Sequence, residues 1–337
     1  AIAQTQDQLL AGLTATGHKP SSSYKFKYVP HMALTVDNAA LEALISSPDV
    51  VSIEEDIPIP AVLDLSVPRI GATTLHSKGV TGNGITVAIL DCGVDKNHPF
   101  LQGSVVSEAC YSSNDATYYS STICPGSATE STATGSALPY AGNCPTGWCD
   151  HGTHVAGIAA GRSGVIGSPG PGVAPEASII AIQVFSRFDS SYYCNGPSTC
   201  VMSWTSDQLK GLEQVYALRN SHSISSVNMS LGGGKYHSNC NSDSRKAIID
   251  TLRAAGIATV IASGNNGFCG YISAPACISS AISVGATDDL DAVANYSNSA
   301  SFMSLFAPGS DIMSSIPGGG YVSWDGTSMA TPHVTGA

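Results

Sequence analysis

Short apolar segments of strand length alternate with helical segments over most of this chain, from about Ser66 onward. The apolar runs are ITVAILD, ASIIAIQVF, SSVNMSLGGG, IATVIASGNN and ISSAISVGA, and helical patterns such as SDQLKGLEQVYALRNS, apolar at i, i+3, i+4 and i+7, separate several of them. Strands that are apolar throughout are buried on both faces, which is typical of parallel sheets covered by helices. The pattern predicts an α/β fold: a doubly wound, mostly parallel sheet with helices on both faces.

Residues 1–62 differ in character and are predicted to form a small α+β domain. QDQLLAGL is predicted to be an amphipathic helix, YKFKYVPHMALTV extended chain, and DNAALEALISSPDV a second helix with Asp37 as its N-cap. VVSIEED is predicted to be a strand and IPIPAVLD an extended linker. The two predicted domains are therefore residues 1–62 and 63–337. Within the second, residues 104–147 lack clear periodicity and are predicted to be a surface insertion.

Charge and hydropathy argue against two kinds of partner. The 337 residues carry a formal net charge of −11 without a basic stripe, which argues against nucleic acid as the main partner. The sequence has no run of about 18 apolar residues, so no membrane-spanning segment is predicted. A monomer is expected.

Ten cysteines are many for a cytosolic protein of this length, and none lies in a CxxC pair or at zinc-finger spacing. Disulfides and an oxidising, extracytoplasmic location are therefore predicted. The opening AIAQTQDQLL has neither the basic nor the apolar region of a signal peptide, so a secreted protein is expected whose signal peptide is not part of this chain. Pairing does not follow from sequence alone, but proximity favours Cys269 with Cys277 first, then Cys194 with Cys200 and Cys124 with Cys144.

Three polar residues occupy positions suited to catalysis in such a sheet, whose sites form beyond the carboxyl ends of the strands. Asp91 ends the strand ITVAILD, His151 begins a helix, and Ser328 lies where a glycine turn enters a helix that Thr327 or Ser328 itself is predicted to cap. A serine at a helix N-terminus faces the positive end of the dipole, which suits a nucleophile whose product is an oxyanion. Taken singly, each residue is better explained as a turn, surface or capping residue.

Five local motifs, ILDCGVDKNHP, DHGTHVAG, VNMSLGGG, ASGNNG and DGTSMATPH, occur in this order. Together they resemble the subtilisin-like serine proteases, whose triad follows the chain order Asp, His, Ser. The resemblance covers nearly the whole chain. HMALTVDNAALEALISSPDVVSIEED is similar to the second half of that family's inhibitory propeptide, and LSVPRIGATTLHSKGVTG resembles the start of the mature enzyme.

The resemblance implies roles for individual residues. Asp91 would orient His151, the general base and then the general acid, and Ser328 would be the nucleophile of an acyl-enzyme. Asn265 would supply the oxyanion hole together with the Ser328 backbone N–H. The implied substrate-binding residues, against which a peptide adds as a strand, are Ser230, Leu231, Gly232, Gly233 and Gly264.

The resemblance also implies partners and processing. Protein or peptide substrates are expected, with the propeptide as an intramolecular inhibitor that is removed by self-cleavage between about residues 61 and 66. Small residues, including Ser273 and Ala274, predict a pocket without a dedicated charge for the residue before the scissile bond, and hence uncharged or aromatic residues there. Compared with the family, the chain begins after the propeptide's first strand and stops about two turns into the helix of Ser328. A fragment of a longer precursor is therefore expected.

Metal requirements and rival functions can be weighed from the same motifs. No cofactor is implied for catalysis. Structural calcium remains open: Phe100 stands where many relatives carry a calcium-binding aspartate, whereas Asp288 is a weak candidate ligand that is equally well explained as a turn carboxylate. HGTH lacks the glutamate and the i, i+4 spacing of zinc metalloproteases, so His154 is predicted to be a packed helix residue. A catalytically silent, protease-like binding protein and an inactive fragment are the alternatives.

Overall fold

The computed structural model describes residues 2–25, 32–53 and 63–337. The chain divides into two compact units, Ala1–Ile59 and Pro60–Ala337.

In the first unit the described elements are two helices and one antiparallel strand pair: α1 (Ile2–Ala15), β1 (Ser22–Lys25), β2 (Met32–Thr35) and α2 (Asn38–Ile45). Both predicted helices form, and Asp37 is the N-cap of α2, because its Oδ1 accepts a hydrogen bond of 2.8 Å from the Ala40 amide. The strand predicted at residues 50–56 is wrong for residues 50–53, which have no regular structure, and residues 54–56 lie outside the described residues.

The linker predicted as extended over residues 57–64 is wrong where the structure describes it. Residues 57–62 lie outside the described residues, as does most of the predicted cleavage window, and Leu63 begins a helix. The helices of the second unit are α3 (Leu63–Arg69), α4 (Ala72–His76), α5 (His151–Ala160), α6 (Thr205–Leu218), α7 (Lys246–Ala254) and α8 (Thr327–Gly336).

The strands of the second unit form one large sheet and three small ones. They are β3 (Thr86–Asp91), β4 (Val105–Tyr111), β5 (Ser120–Thr122), β6 (Glu130–Ser131), β7 (Ser178–Gln183), β8 (Ser186–Phe188), β9 (Cys200–Met202), β10 (Ile224–Met229), β11 (Gly233–Tyr236), β12 (Ala258–Ala262), β13 (Ile272–Ala274), β14 (Ile282–Thr287), β15 (Leu305–Pro308), β16 (Ile312–Ile316) and β17 (Gly320–Trp324).

The large sheet has the order β15-β14-β12-β10-β3-β7-β4-β6. All neighbouring pairs are parallel except β4 with the short edge strand β6. From β3 the chain proceeds to β4 and β7 on one side, and from β10 it proceeds outward through β12, β14 and β15 on the other. The order therefore reverses between β3 and β10, and the carboxyl ends of these two strands border the crevice where such sheets bind ligands. The predicted doubly wound α/β fold is confirmed.

Helices cover both faces of this sheet because successive strand residues point to opposite sides. In β3, Ala88 and Leu90 belong to one buried cluster, which includes Leu212 of α6 and Leu252 of α7. Val87 and Ile89 belong to the opposite cluster, which includes Val155 and Ile158 of α5. Helix α8 packs against α5 and against β12 and β14. The apolar runs are thus buried on both sides, as their composition predicts.

The prediction that residues 104–147 form a surface insertion is wrong for residues 105–111. These residues form β4, which pairs with β7 inside the large sheet. In β4, Val105 and Ser107 are partly buried and Val106 is exposed, whereas the last four residues are buried. Because the first three residues of this strand are not fully buried, and because Ser107 and Glu108 interrupt its apolar residues, it lacks the continuous apolar run by which the other strands can be recognised.

The part of the chain that the structure describes contains four disulfides: Cys110–Cys124, Cys144–Cys149, Cys194–Cys200 and Cys240–Cys277. The predicted pair Cys194–Cys200 is confirmed, and the other two are wrong. Cys269 is exposed and free, whereas the buried Cys277 lies against Cys240, so proximity in sequence did not bring the side chains of Cys269 and Cys277 together. Cys124 is bonded instead to Cys110 at the end of β4. Within the described ranges, no helix is both long and apolar enough to cross a membrane.

Candidate active site

Asp91 and His151 meet at the carboxyl end of β3. Asp91 is the last residue of β3 and is fully buried, and its Oδ1 accepts a hydrogen bond of 2.8 Å from the Cys92 amide. His151 is the first residue of α5, and its Nδ1 lies 2.9 Å from each carboxylate oxygen of Asp91. Gly152 makes the close approach of α5 possible, since a Cβ there would lie 2.2 Å from the Gly93 carbonyl oxygen. A carboxylate at this position fixes the imidazole with Nδ1 protonated and Nε2 free to accept a proton.

Two opposing effects act on the pKa of His151. Burial disfavours the imidazolium and lowers the pKa, whereas the charge of Asp91 and its hydrogen bond favour the imidazolium. The two effects of Asp91 together outweigh the effect of burial, so the pKa of His151 is raised above its usual value of 6.5. Asp91 therefore stabilises the imidazolium that His151 would form when it accepts a proton as a general base.

Ser328 is the second residue of α8, at the turn of the chain that follows Gly326. Its hydroxyl donates a hydrogen bond of 3.3 Å to the Ser230 carbonyl, and the Ser230 hydroxyl donates one of 2.8 Å to the Ser328 carbonyl. The predicted side-chain cap by Thr327 or Ser328 is wrong: Gly326 is the N-cap, without a side-chain cap bond. Because the Ser328 hydroxyl is not used in a cap, it can face the cleft. Ser328, His151 and Asn265 all line one cavity of about 270 Å³.

Asn265 is held by the start of α8. Its Oδ1 accepts hydrogen bonds of 2.8 Å from both the amide and the hydroxyl of Thr327. Because the oxygen is engaged in this way, the Nδ2 donor is the part of the amide available to a ligand in the cavity. The sequence indicated Thr327 only as a capping residue. Its role in orienting the side chain of Asn265 follows from the tertiary contact alone.

A second asparagine shapes the loop that carries Asn265. Asn298 is fully buried, and its Oδ1 accepts hydrogen bonds of 3.0 Å from the amides of Asn266 and Phe268. Gly264 adopts a φ of +104°, and a Cβ there would lie 2.4 Å from Nδ2 of Asn298. The amide of Gly264 donates to the Thr327 hydroxyl at 3.2 Å. The structure thus places Gly264 in the turn behind Asn265, where a larger residue would be strained. No motif in the sequence indicated Asn298.

The remaining candidate residues form one wall of a larger cavity of about 670 Å³. Ser230, Leu231, Gly232 and Gly233 all line it, as do Asp91 and His151. Ser230 follows directly after β10, so the wall begins at the crevice between β10 and β3. Glycines on this wall leave the backbone accessible to an extended peptide. His151 lines both cavities and therefore marks the point where they meet.

The two residues considered for calcium binding, Asp288 and Phe100, have other roles. Oδ1 of Asp288 accepts hydrogen bonds of 2.9 Å from the amides of Leu290 and Ala292, which is the pattern of a turn carboxylate. Phe100 is fully buried in the core beside α5. Among the described residues, no group of three or more His, Cys, Asp and Glu side chains could hold a metal ion. Cys92 is a free, buried thiol, and burial raises its pKa well above 9.0.

His154 is a packed helix residue, as predicted. It is fully buried, its Nε2 lies 2.9 Å from the Val322 carbonyl oxygen, and its ring stacks on Trp324 at a centroid distance of 4.5 Å. Burial lowers the pKa of His154 to about 3, so its ring is neutral at neutral pH. Trp324 in turn lines the cavity of Ser328, and its ring is stacked with that of His151 at 6.3 Å.

Comparisons with known proteins agree with this arrangement. The model of the Subtilase family of peptidases matches residues 82–337. Subtilisin E of Bacillus subtilis (strain 168) is 35% identical over 320 residues, which cover 93% of this chain and 70% of that protein. Alkaline elastase YaB of Bacillus sp. (strain YaB) is 29% identical over 315 residues, with coverage of 93% and 69%. The solved structure of a cold adapted subtilisin-like serine proteinase matches with a TM-score of 0.52 at 30% identity, covering 76% of this chain and 74% of that one.

Proposed function

This chain belongs to the subtilase family and is a serine endopeptidase, and we propose that it cleaves peptide bonds through a triad of Asp91, His151 and Ser328. The observation that carries the proposal is the shared cavity: Ser328 and His151 line it together, while Asp91 is bonded to His151 from the buried side. Each residue comes from a different element, β3, α5 or α8, and the fold brings them to one end of the sheet.

In the proposed reaction, Oγ of Ser328 attacks the carbonyl carbon of the scissile bond while its proton passes to Nε2 of His151. The tetrahedral intermediate carries its negative charge on the former carbonyl oxygen, and Nδ2 of Asn265 and the Ser328 amide donate hydrogen bonds to it. His151 then gives the proton to the leaving amine, which leaves an ester at Ser328. Water, deprotonated by His151, hydrolyses this ester and restores the serine. In the free enzyme the serine–histidine contact is often long and tightens only with substrate.

We propose further that an extended substrate pairs with the wall formed by residues 230–233, and that Gly264 contributes by setting the turn of Asn265. Protein and peptide substrates follow from the family. The proposed reaction requires no cofactor. Asp288 is not proposed as a calcium ligand, because its carboxylate accepts two hydrogen bonds within a turn.

Residues 1–62 are proposed to be an inhibitory propeptide, and residues 63–337 the peptidase domain. The protein is then a secreted, monomeric zymogen that removes its propeptide by self-cleavage between about residues 61 and 66. Four disulfides, which persist in oxidising compartments, support secretion. Amino-terminal sequencing of the matured protein tests the cleavage position, and a new terminus well outside this window contradicts it.

Labelling with a fluorophosphonate probe tests the triad, after incubation that allows self-cleavage. The chain should be labelled at Ser328, and Ser328→Ala should not be labelled. Ser323→Ala is the matched control, because Ser323 is an exposed serine five positions earlier and should leave labelling intact. A chain that is folded by circular dichroism but is not labelled would contradict the proposal in favour of a silent binding protein.

A further inference from the structure

The larger cavity contains a charge that peptide-bond hydrolysis does not require. Its walls are mainly apolar, with Phe185, Val201, Met202, Leu231 and Tyr236 among the lining residues. Among the described residues that line it, Arg245 is the single lysine or arginine. Arg245 precedes α7 and is 92% buried, since only 8% of its surface is exposed.

The guanidinium of Arg245 is fixed by two partners. Nε and Nη2 donate to the two carboxylate oxygens of Asp243 at 2.8 and 2.6 Å, and Nη1 donates to Oε1 of Gln208 at 2.7 Å. Gln208 is itself buried and lines the same cavity. The network therefore holds the guanidinium in one orientation. Such a rigid, bidentate arrangement presents further N–H groups in fixed directions.

Hydrogen-bonding capacity remains after these contacts. A guanidinium has five N–H bonds, and three of them are donated to Asp243 and Gln208. Two N–H bonds are left for an acceptor in the cavity. An aliphatic residue would fill an apolar pocket without the several kcal/mol that burial of a charge costs. The presence of the Arg245 guanidinium in this cavity is therefore better explained by binding of a ligand than by a contribution to folding stability.

A substrate that pairs with residues 230–233 would project side chains into this cavity, because the same residues form its wall. In an extended peptide, alternate side chains point to the same side. A single substrate position, and not its two direct neighbours, would therefore lie over Arg245.

We infer that Arg245, held by Asp243 and Gln208, is a specificity-determining residue, and that this cavity accepts an acidic side chain of the substrate. Glutamate has the reach and the two acceptor oxygens for the remaining N–H bonds. Glutamine, with one acceptor oxygen, ranks second, and leucine is disfavoured because it would leave the two remaining N–H bonds of the guanidinium without an acceptor. This inference rests on the proposed function, since it needs a substrate bound along the wall of residues 230–233.

Cleavage of a peptide library tests the inference. Each position on either side of the scissile bond is varied in turn among Glu, Gln and Leu, and kcat/KM is measured. We expect one position at which Glu exceeds Leu by about 10- to 100-fold, the size of a hydrogen bond to a charged group. Neighbouring positions should not show this preference. Equal cleavage of the Glu and Leu peptides at every position, or a preference for Leu at the responsive one, would overturn the inference.

Substitutions assign the preference to Arg245. Arg245→Met alone leaves Asp243 without its partner, so the double variant Asp243→Asn/Arg245→Met removes both charges together. At the responsive position the Glu-to-Leu ratio should fall to about 1 or below in the double variant and lower still in Arg245→Met, where the unpaired Asp243 repels Glu; a thermal melt confirms that both variants are folded. Arg253→Met is the matched control, because Arg253 is an exposed arginine on α7, the helix that Arg245 precedes, and its ratio should equal that of the unmodified protein. A ratio that survives in the folded double variant overturns the assignment.

The two proposals fail in different ways. Absence of Ser328-dependent labelling and cleavage refutes the triad. Cleavage that depends on Ser328 but shows no acidic preference refutes only the role of Arg245.

Discussion

Nδ1 of His151 lies 2.9 Å from both carboxylate oxygens of Asp91, and Asp91 has no exposed surface. A buried carboxylate in this position has His151 as its cationic partner, so the pair is most stable when the imidazole is protonated. The pKa of His151 is raised by this interaction despite the opposing effect of burial. The effect of this interaction on kcat and its effect on the pH dependence of kcat/KM can be measured separately.

Asp91→Asn should reduce kcat by about 10⁴-fold, as the equivalent change does in other serine proteases. A general base must be neutral, so the activity of the unmodified enzyme should fall as the pH drops through a value above 6.5. Asparagine removes the charge that raises the pKa and leaves burial, which lowers it. The acidic limb of the kcat/KM profile should therefore move to lower pH in the variant. An unchanged limb would show that Asp91 does not set the pKa of His151.

Asn265→Ala should lower kcat by about 10²- to 10³-fold with little change in KM, the loss measured for this donor in a subtilisin. Thr327→Val should have a smaller effect in the same direction, because the side chain of Asn265 loses the Thr327 hydroxyl but keeps the Thr327 amide. Steady-state kinetics on one peptide measures both variants. Thr335→Val is the control, since Thr335 lies on the same helix and its hydroxyl contacts Asn228 and not Asn265. Equal kcat for Thr327→Val and the unmodified enzyme would argue that the Thr327 hydroxyl does not orient Asn265.

His154 should make folding stability sensitive to acid. Its pKa is about 3 in the folded protein against 6.5 in the unfolded chain, so the unfolded state binds more protons between these values. The stability is fully present above pH 6.5 and falls as the pH drops toward 3. This sign is opposite to that for His151, whose raised pKa adds stability below 6.5 that is lost as the pH rises through its folded value.

Urea unfolding of the Ser328→Ala protein, which cannot digest itself, measures this contribution of His154. Between pH 7 and pH 4.5, His154 should account for about 2–3 kcal/mol of the lost free energy of unfolding. His154→Gln keeps a donor for the Val322 carbonyl but does not titrate, so the loss over this interval should shrink by that amount. A loss that is the same with and without His154 contradicts the prediction. His222→Gln, at a partly exposed histidine, is the control.

The disulfides should differ in their effect on stability according to the length of chain that each closes. Cys240–Cys277 has a sequence separation of 37, and Cys194–Cys200 one of 6. Loop-closure entropy predicts a loss of about 4 kcal/mol for the double alanine variant of the first pair and about 2 kcal/mol for the second. Equilibrium unfolding in the Ser328→Ala background gives both values. A larger loss for the short loop would show that local packing, rather than chain entropy, dominates.

The sequence predicted those parts of the fold that depend on continuous local patterns. The strands Thr86–Asp91, Ser178–Gln183 and Ala258–Ala262 are apolar runs, and helix Thr205–Leu218 has a clear 3.6-residue period. Strand Val105–Tyr111 escaped prediction because its first half is only partly buried and carries polar residues. Cys277 was assigned to the wrong partner because a disulfide depends on where two Cβ atoms meet in space.

For the candidate site, the sequence by itself determined which chemical groups are available: an aspartate at a strand end, a histidine at a helix start, and a serine and an asparagine beside glycine turns. It also determined the family, because five motifs that resemble those of the subtilisin-like proteases occur in the family's order. Only the tertiary structure decided how these groups are held. Thr327 orients Asn265, Asn298 supports the loop behind it, and Gln208 holds Arg245 at the larger cavity. Each of these hydrogen bonds joins residues at least 30 positions apart. Hydrogen bonds between distant segments leave no periodic trace in a sequence, since they arise from the packing of whole elements against one another.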